Sequence, residues 1–198
     1  MKIGLIGCGN MGGAMAVHLA GSAHAPVCFD PDPQCLARVA TGGCRVAASQ
    51  LEVASACNLI VLSLPRADIV RSVMEAITPH VAPGSVVIDT STSEPGTTRD
   101  MNRVAKKNGF SFVDAPVSGG PAAAGTGTMT MLIGGDDDAD RDRCVDDHRS
   151  NGIGKDMTSN DAEVVGTEST GCVDVVLLFG GENGRSQQAK HGGPAEQN

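Results

Sequence analysis

The chain has 198 residues, enough for one well-packed domain and part of a second. A formal net charge of -8 without any lysine- or arginine-rich run argues against nucleic acid and anionic membranes as partners, and no apolar run of about 18 residues predicts a membrane span. The seven cysteines form no Cys-x-x-Cys pair, so we predict neither a disulfide framework nor a metal site, and reduced thiols favour a cytoplasmic protein with a small-molecule partner.

Strands and helices alternate in the predicted structure up to residue 114. Lys2 to Gly7 is a short apolar strand, and a helix of small residues runs from Met11 to Ala20. Such alternation predicts an α/β fold of the Rossmann type, a doubly wound, mostly parallel sheet that binds its ligand at the carboxyl ends of the strands. The further predicted elements are strand 27–30, helix 34–40, a short helix from a capping box at Ser49, strand 58–64, helix 66–77, strand 85–90, helix 95–108 and strand 110–114.

The pattern changes in the last third of the chain. One more strand is predicted at 128–133 and a charged surface helix at 136–147. We therefore divide the chain into a dinucleotide-binding domain, residues 1–140, and an irregular C-terminal remainder, residues 141–198. The remainder has few apolar residues outside 173–179, and its end, 183–198, is predicted to be a disordered tail.

A glycine-rich motif follows the first strand. Gly7-Cys8-Gly9-Asn10-Met11-Gly12 has the G-x-G-x-x-G spacing and opens a helix, which is the context that a dinucleotide site requires. The first glycine permits a tight turn, the second lets a diphosphate approach the backbone, and the third lets helix and strand pack closely. Flavin and methyl-donor sites share the spacing, so the prediction of a dinucleotide depends on this context.

An acidic residue ends the second predicted strand. Asp30 lies 18 residues after Gly12, where a carboxylate accepts hydrogen bonds from the adenosine ribose and repels a 2′-phosphate. No arginine follows it to favour NADP, so NAD is the predicted cofactor and NADP is less favoured. The alternative is that Asp30 only begins the turn before Pro31.

Three segments together resemble the β-hydroxyacid dehydrogenases. They are Gly7 to Gly12 with Met15, Asp89-Thr90-Ser91-Thr92-Ser93-Glu94-Pro95, and Asp114-Ala115-Pro116-Val117-Ser118-Gly119-Gly120. The last segment is the most specific, and the resemblance covers residues 1–140. The family includes 3-hydroxyisobutyrate dehydrogenase and tartronate semialdehyde reductase, with 6-phosphogluconate dehydrogenase as a more distant relative.

The resemblance also implies roles for individual residues. Leu64-Pro65 would line the cofactor site, Thr92 would lie near the nicotinamide end, and Ser118-Gly119-Gly120 would hold the substrate carboxylate. Successive glycine N–H groups beside a hydroxyl suit a small anion. From spacing alone the alternatives are a flexible turn at 118–120 and a helix cap at Thr92.

The family's catalytic lysine lies beyond the Rossmann domain, at the start of a long helix, in the pattern Gly-x-Gly-x-x-x-Lys-x-x-Asn-Asn. It acts as general acid and base toward the alcohol oxygen. The nearest match here runs from Gly184 to Lys190, with Ser186 at the second glycine and Pro194 at an asparagine position. Lys190 is therefore the catalytic candidate, and a solvated lysine in a polar tail is the alternative. Alignment by distance instead places 166–179 on the helix, without a lysine.

The family has, in addition, a large all-helical C-terminal domain that closes the cleft and usually builds the dimer. The chain is too short to hold such a domain after residue 140. We therefore expect a gene product that is truncated, shifted in reading frame or alternatively spliced. A homo-oligomer stays possible, although the usual dimerisation domain is absent.

Three functions remain open from the sequence. The resemblance implies an NAD-dependent oxidoreductase that transfers hydride between the cofactor and a small 3-hydroxy acid such as 3-hydroxyisobutyrate. The second is an NAD(P)-binding module without turnover, because the lysine and the helical domain are missing. The third is a relative of the imine reductases in which another residue replaces the lysine, with Asp174 as the acid.

Overall fold

The described part of the chain alternates strand and helix and is divided between two sheets. A computed structural model describes residues 1–21, 24–133, 164–169 and 172–178. The strands are β1 (Ile3–Ile6), β2 (Val27–Phe29), β3 (Arg45–Val46), β4 (Leu59–Leu62), β5 (Val86–Asp89), β6 (Ser111–Asp114), β7 (Val117–Ser118), β8 (Thr130–Ile133), β9 (Val164–Ser169) and β10 (Cys172–Leu178). The helices are α1 (Asn10–Ala20), α2 (Pro33–Thr41), α3 (Gln50–Ala56), α4 (Ala67–Ile77), α5 (Pro95–Lys107) and α6 (Gly120–Thr126), with a short 3-10 turn at Thr78–His80.

The larger sheet has six parallel strands in the order β3-β2-β1-β4-β5-β6. The order reverses between β1 and β4, and it is the order of the doubly wound Rossmann fold. The central strands are buried on both faces, as their continuous apolar sequences require, and Leu5 and Ile60 are fully buried. The predicted fold class is confirmed. The crevice between β1 and β4 is where such a sheet binds its ligand.

The two faces of this sheet are covered by different helices. On one face, α1, α2 and α6 pack with β8 around residues such as Met15 and Val39. On the other, α3, α4 and α5 pack around residues such as Val53 and Met74. The apolar stripe predicted for α4 is the side that it buries. Among the helices of the described ranges, none is both long and apolar enough to cross a bilayer.

The second sheet is antiparallel, with the order β7-β8-β10-β9. Residues 164–169 and 172–178 form a strand pair, which differs from the irregular remainder and from the helix that alignment by distance would place there. A run containing Val173, Val175 and Val176 suits a strand, because β-branched side chains lose little freedom there. The predicted domain boundary at 140, the helix at 136–147 and the tail at 183–198 lie outside the described residues.

Side-chain caps set the starts of α2 and α3. The Asp32 carboxylate accepts a hydrogen bond from the Gln34 N–H at 2.9 Å, just before Pro33 at the first helical position. The Ser49 hydroxyl accepts from the Glu52 N–H at 3.2 Å, as the predicted capping box requires. The Glu52 carboxylate accepts from the Ala48 N–H at 2.7 Å, one residue before the expected donor. The cap of α2 bears on the site, because it fixes a carboxylate beside β2.

Candidate dinucleotide site

A cavity of about 820 Å³ opens at the carboxyl ends of β1, β2, β4 and β5. Its position is the crevice expected from the sheet order, and its volume is in the range of small-molecule and cofactor sites. Of the twelve predicted binding residues, Ser118 and Gly119 are the two that do not line it. The others in its wall are Gly7, Gly9, Asn10, Met11, Gly12, Asp30, Leu64, Pro65, Thr92 and Gly120.

The structure explains the presence of glycine differently at each of the three motif positions. Gly7 has a φ of +97°, and a Cβ there would overlap the Ser63 carbonyl oxygen of the strand end beside it. A Cβ on Gly12 would overlap the Gly7 carbonyl oxygen, so glycine lets α1 start close to β1. At Gly9 a Cβ would have no neighbour within 4 Å, because this residue faces the open cavity. The first and third glycines thus shape the loop, and the second leaves space for a ligand.

The start of α1 is suited to an anion. No side chain caps this helix end, and no acidic residue occurs in its first turn. Its first residues, Asn10, Met11 and Gly12, line the cavity, and the first N–H groups of a helix have no partner within the helix. These donors and the positive end of the helix dipole together favour a diphosphate.

Asp30 is held in place beside this loop by backbone donors. One carboxylate oxygen accepts from the Cys8 N–H at 2.6 Å, and the other accepts from the Asp32 N–H at 2.8 Å. Each oxygen has a second lone pair, so the fixed carboxylate can still accept hydrogen bonds from a ribose in the cavity that it lines. The Asp30-Pro31 turn named as an alternative also exists, so the residue has both a structural contact and a place in the cavity.

The opposite wall is built by the segments that follow β4 and β5. The Ser91 hydroxyl accepts from the Leu64 N–H at 2.9 Å, and the Thr90 hydroxyl donates to the Leu62 carbonyl at 2.7 Å. These two bonds tie the predicted residues Leu64-Pro65 to the turn that carries Thr92. The helix that Thr92 was alternatively expected to cap begins after Glu94, and that helix end has no side-chain cap.

Two carboxyl groups lie under this wall, at the ends of the adjacent strands β5 and β6. Asp89 is paired in register with Asp114, is fully buried, and accepts hydrogen bonds from the Ser91 N–H and the Ser93 hydroxyl, both at 2.9 Å. Burial raises the pKa of Asp89, and the hydrogen bonds oppose that rise. Burial, and then the charge of Asp89, raises the pKa of Asp114 to about 6.

The predicted carboxylate-binding segment lies at the edge of the cavity. Ser118 ends β7 and is exposed, and Gly119 and Gly120 have φ values of +116° and +71°. A Cβ on Gly119 would come within 2.8 Å of the Ala123 Cβ, so this backbone requires glycine. The segment leads from β7 into α6, and Gly120 is its residue in the cavity wall.

Two acid–base candidates of the sequence are not among the described residues that line this cavity. Lys190 lies outside the described residues. Asp174 belongs to β10, where its backbone is in register with Thr167 of β9. The described residues of the cavity wall include no lysine.

Four contributions to the site were not predicted. Asp32 and Cys35 line the cavity beside Asp30, and Ser91 supports the opposite wall. Arg38 of α2 donates to two carbonyl groups of the glycine loop. The Asp-Pro-Asp-Pro turn was a usable signal for Asp32, because an acid before a proline that opens a helix is a capping residue. The sequence holds no comparable signal for Arg38, which contacts a loop far away along the chain.

The donor set fits a dinucleotide. A helix start without a cap, a glycine whose missing side chain leaves open space, and a fixed carboxylate follow each other along one cavity. They match in turn a diphosphate and a ribose.

Comparison with known proteins agrees with this geometry. Residues 2–143 match the model of the NAD-binding domain of 6-phosphogluconate dehydrogenase. A probable mitochondrial 3-hydroxyisobutyrate dehydrogenase of Dictyostelium discoideum is 38% identical over 136 residues, which are 67% of this chain and 42% of that protein. The 2-(hydroxymethyl)glutarate dehydrogenase of Eubacterium barkeri is 37% identical over 137 residues, 68% of this chain and 46% of that protein.

Solved structures give the same result. The 3-hydroxyisobutyrate dehydrogenase of Mycobacterium tuberculosis with L-serine has a TM-score of 0.69 and 31% identity, over 72% of this chain and 49% of that chain. The present chain thus spans less than half the length of each of these relatives. The match over residues 2–143 is more than half of the chain and confirms NAD as the predicted cofactor. The chain belongs to the family of the NAD-binding domain of 6-phosphogluconate dehydrogenase, and the relatives it resembles include 3-hydroxyisobutyrate dehydrogenases.

Proposed function

We propose that the protein is an NAD-dependent oxidoreductase of the 3-hydroxyacid dehydrogenase type. Bound NAD⁺ would supply the hydride acceptor for a small 3-hydroxy acid such as 3-hydroxyisobutyrate, whose carbinol carbon would lose hydride while its hydroxyl proton passes to a base. The observation that carries the proposal is the cavity wall, in which the uncapped start of α1 and the fixed Asp30 carboxylate lie side by side.

Different residues along the cavity would bind different parts of the cofactor. The N–H groups at Asn10 to Gly12 bind the diphosphate, and Asp30 accepts from the adenosine ribose. Leu64-Pro65 gives an apolar wall, and Thr92 lies at the end where the reaction takes place. The hydrogen bond that the Ser91 hydroxyl accepts from the Leu64 N–H holds these two segments together before any ligand binds, which lowers the entropy cost of binding.

The substrate would be held by the segment at the cavity edge. Ser118-Gly119-Gly120 offers a hydroxyl and backbone N–H groups without bulk, which suits the carboxylate of a hydroxy acid. Both glycines have positive φ values, a conformation that favours glycine, so no side chain crowds their N–H groups. Lys190 is the candidate acid and base for the alcohol oxygen. The cytoplasmic location and the lack of a nucleic-acid partner stay predictions.

A second candidate function is an NAD(P)-binding module without turnover. It is favoured by the described cavity wall, which has ten of the twelve predicted binding residues but no lysine. In this case the same geometry would bind the cofactor, and no group would exchange a proton with the alcohol.

The test is titration of the full chain with NADH and NADPH, followed by cofactor fluorescence, with Gly9→Val as the blocking variant. The new side chain would project into the cavity without meeting protein atoms, so it blocks the ligand and spares the fold. We expect the dissociation constant for NADH to rise about a hundredfold or more. Assays with 3-hydroxyisobutyrate, tartronate semialdehyde and 4-hydroxybutyrate then measure turnover.

Gly96→Val is the matched control, because Gly96 also has no atom near its missing side chain but does not line the cavity. It should bind NADH as the unmodified chain does. NADH binding with turnover supports the oxidoreductase, and NADH binding without turnover supports the module. If the unmodified chain does not bind NADH, or if Gly9→Val binds it equally well, the proposed site is wrong.

A further inference from the structure

The glycine loop accepts two hydrogen bonds from an arginine of another helix. Nη2 of Arg38, on α2, donates to the Cys8 carbonyl at 2.7 Å and to the Gly9 carbonyl at 3.1 Å. Arg38 does not line the cavity, whereas Gly9 and Asn10 do. Nη2 also lies 3.6 Å from the Sγ of Cys35, a residue that does line the cavity, so the guanidinium lies beside the cavity wall without forming part of it.

This contact bears on the direction of two N–H groups, and the Gly9 carbonyl accepts a further hydrogen bond from the Gly13 N–H at 2.9 Å. The Cys8 carbonyl shares a peptide unit with the Gly9 N–H, and the Gly9 carbonyl shares one with the Asn10 N–H. All described peptide bonds are trans, and in a trans unit the carbonyl and the N–H point in opposite directions. With both carbonyl groups turned toward Arg38, the N–H groups of both peptide units point away from it.

We propose that Arg38 is a positioning residue for diphosphate binding, in which its guanidinium orients the Gly9 and Asn10 N–H groups by holding the carbonyl groups of the same peptide units. The inference rests on the proposed cofactor site and extends it to a residue that does not touch the ligand. Hydrogen bonds from a charged donor are stronger than neutral ones, and a planar guanidinium loses little freedom when it bridges two acceptors. The loop is thereby ordered before the ligand binds.

The space for this contact comes from a glycine on α1. A Cβ on Gly13 would come within 2.9 Å of the Cys8 carbonyl oxygen and 3.2 Å of Arg38 Nη2. Gly13 has no positive φ, so a tight turn does not explain it. The missing side chain leaves room for the guanidinium to reach the loop.

The test compares Arg38→Met and Arg38→Lys in the full chain, with NADH, ADP and adenosine as ligands. If Arg38 orients diphosphate donors, Arg38→Met raises the dissociation constants for NADH and ADP about tenfold and changes that for adenosine by less than about twofold. Arg38→Lys keeps the charge, but its side chain is one bond shorter than the path to Nη2 and would not reach both carbonyl groups, so it should stay several-fold weaker than the unmodified chain for ADP.

The matched control is Arg103→Met, an exposed arginine on α5 that pairs with Asp100 and does not line the cavity. It should leave all three dissociation constants unchanged. Equal ADP binding by Arg38→Met and the unmodified chain overturns the proposal. Full ADP binding by Arg38→Lys also overturns it, because charge alone would then explain the effect.

A measurement without ligand separates this inference from the proposed function. In backbone amide NMR spectra of the free protein, Arg38→Met should shift and broaden the Gly9 and Asn10 resonances and leave the Gly84 resonance unchanged. A chain that fails to bind NADH contradicts the proposed function whatever these spectra show. Unchanged Gly9 and Asn10 resonances contradict the role of Arg38 even if NADH binds.

Discussion

Two carboxylates stand side by side where the adenosine ribose of a dinucleotide would lie. Asp30 is oriented by two backbone N–H groups, and Asp32 is oriented by the Gln34 N–H that it caps. Both line the cavity, so a 2′-phosphate would meet two negative charges rather than one. The preference for NAD over NADP, inferred from Asp30 alone, should therefore depend on both residues.

Asp32→Asn tests the second charge. The amide oxygen caps α2 as the carboxylate does, so the free energy of unfolding should change by less than about 1 kcal/mol. With one charge removed, we expect the ratio of the NADPH to the NADH dissociation constant to fall roughly three- to tenfold. Titration with both cofactors measures this ratio.

Asp68→Asn is the matched control, because Asp68 lies in the first turn of another helix and does not line the cavity. It should leave the ratio unchanged. An Asp32→Asn variant that keeps the ratio of the unmodified chain would show that Asp30 alone excludes the 2′-phosphate.

At the scale of elements, the site depends on how closely α1 approaches β1. The helix begins directly after the glycine loop, and the Gly13 N–H already donates to the Gly9 carbonyl at 2.9 Å. Gly12 occupies the contact between the helix and the end of the strand. The packing of this helix and the direction of its first N–H groups therefore both depend on Gly12.

Gly12→Ala should push the start of α1 away from the end of β1. The added Cβ would overlap the Gly7 carbonyl oxygen, which is backbone and cannot move without displacing the loop. We expect a loss of about 2 to 4 kcal/mol in the free energy of unfolding, together with weaker NADH binding. Urea denaturation and cofactor titration measure the two effects.

Gly125→Ala is the comparison for this prediction. It adds the same atom to a helix in open space, so stability should hold or rise slightly. Unchanged stability and NADH binding in Gly12→Ala would mean that the loop has room that the structure does not show.

Elements with a strong periodic pattern could be predicted from the sequence, and those defined by a distant partner could not. Strands β1, β4 and β5 are continuous apolar runs, and α4 has a clear apolar stripe, so all were predicted within a few residues. β3 has two exposed residues and exists only through its pairing with β2. Helix α6 lies in a stretch of glycine, proline and alanine for which no helix was predicted.

The candidate site divides in the same way. The glycine motif and the acid after β2 are local patterns, and the structure brings them to one cavity. The contact of Arg38 with Cys8 and Gly9 links residues from different elements. Such a contact depends on the docking of α2 beside α1, which no spacing within either segment specifies.

At the scale of the whole molecule, the paired carboxyl groups at the ends of β5 and β6 make the free energy of unfolding depend on pH. Asp89 and Asp114 end adjacent strands in register, and both have raised pKa values. The folded protein therefore holds a proton more tightly than the unfolded chain between the ordinary aspartate pKa of 3.8 and a value of about 6 for Asp114. In that range the free energy of unfolding falls as the pH rises, because the unfolded chain has already released its proton.

Asp114→Asn should remove this contribution. Below pH 3.8 the protonated aspartate and the amide are alike, so the two proteins should have similar stability. As the pH rises through about 6, the variant should become the more stable by about 1 kcal/mol, a value kept small because solvent screens a half-buried carboxyl group. Urea denaturation at a series of pH values measures the difference.

Asp68→Asn should change the pH dependence of stability in the opposite direction, so it serves as the control. Hydrogen bonding to Arg66 lowers the pKa of Asp68, which means that its ionised form is favoured in the folded protein. Removing that charge cannot produce a gain that grows with pH. If Asp114→Asn is more stable than the unmodified chain by the same amount at every pH, the gain in stability comes from packing. The charges of Asp89 and Asp114 would then not interact, although the two residues are paired in register.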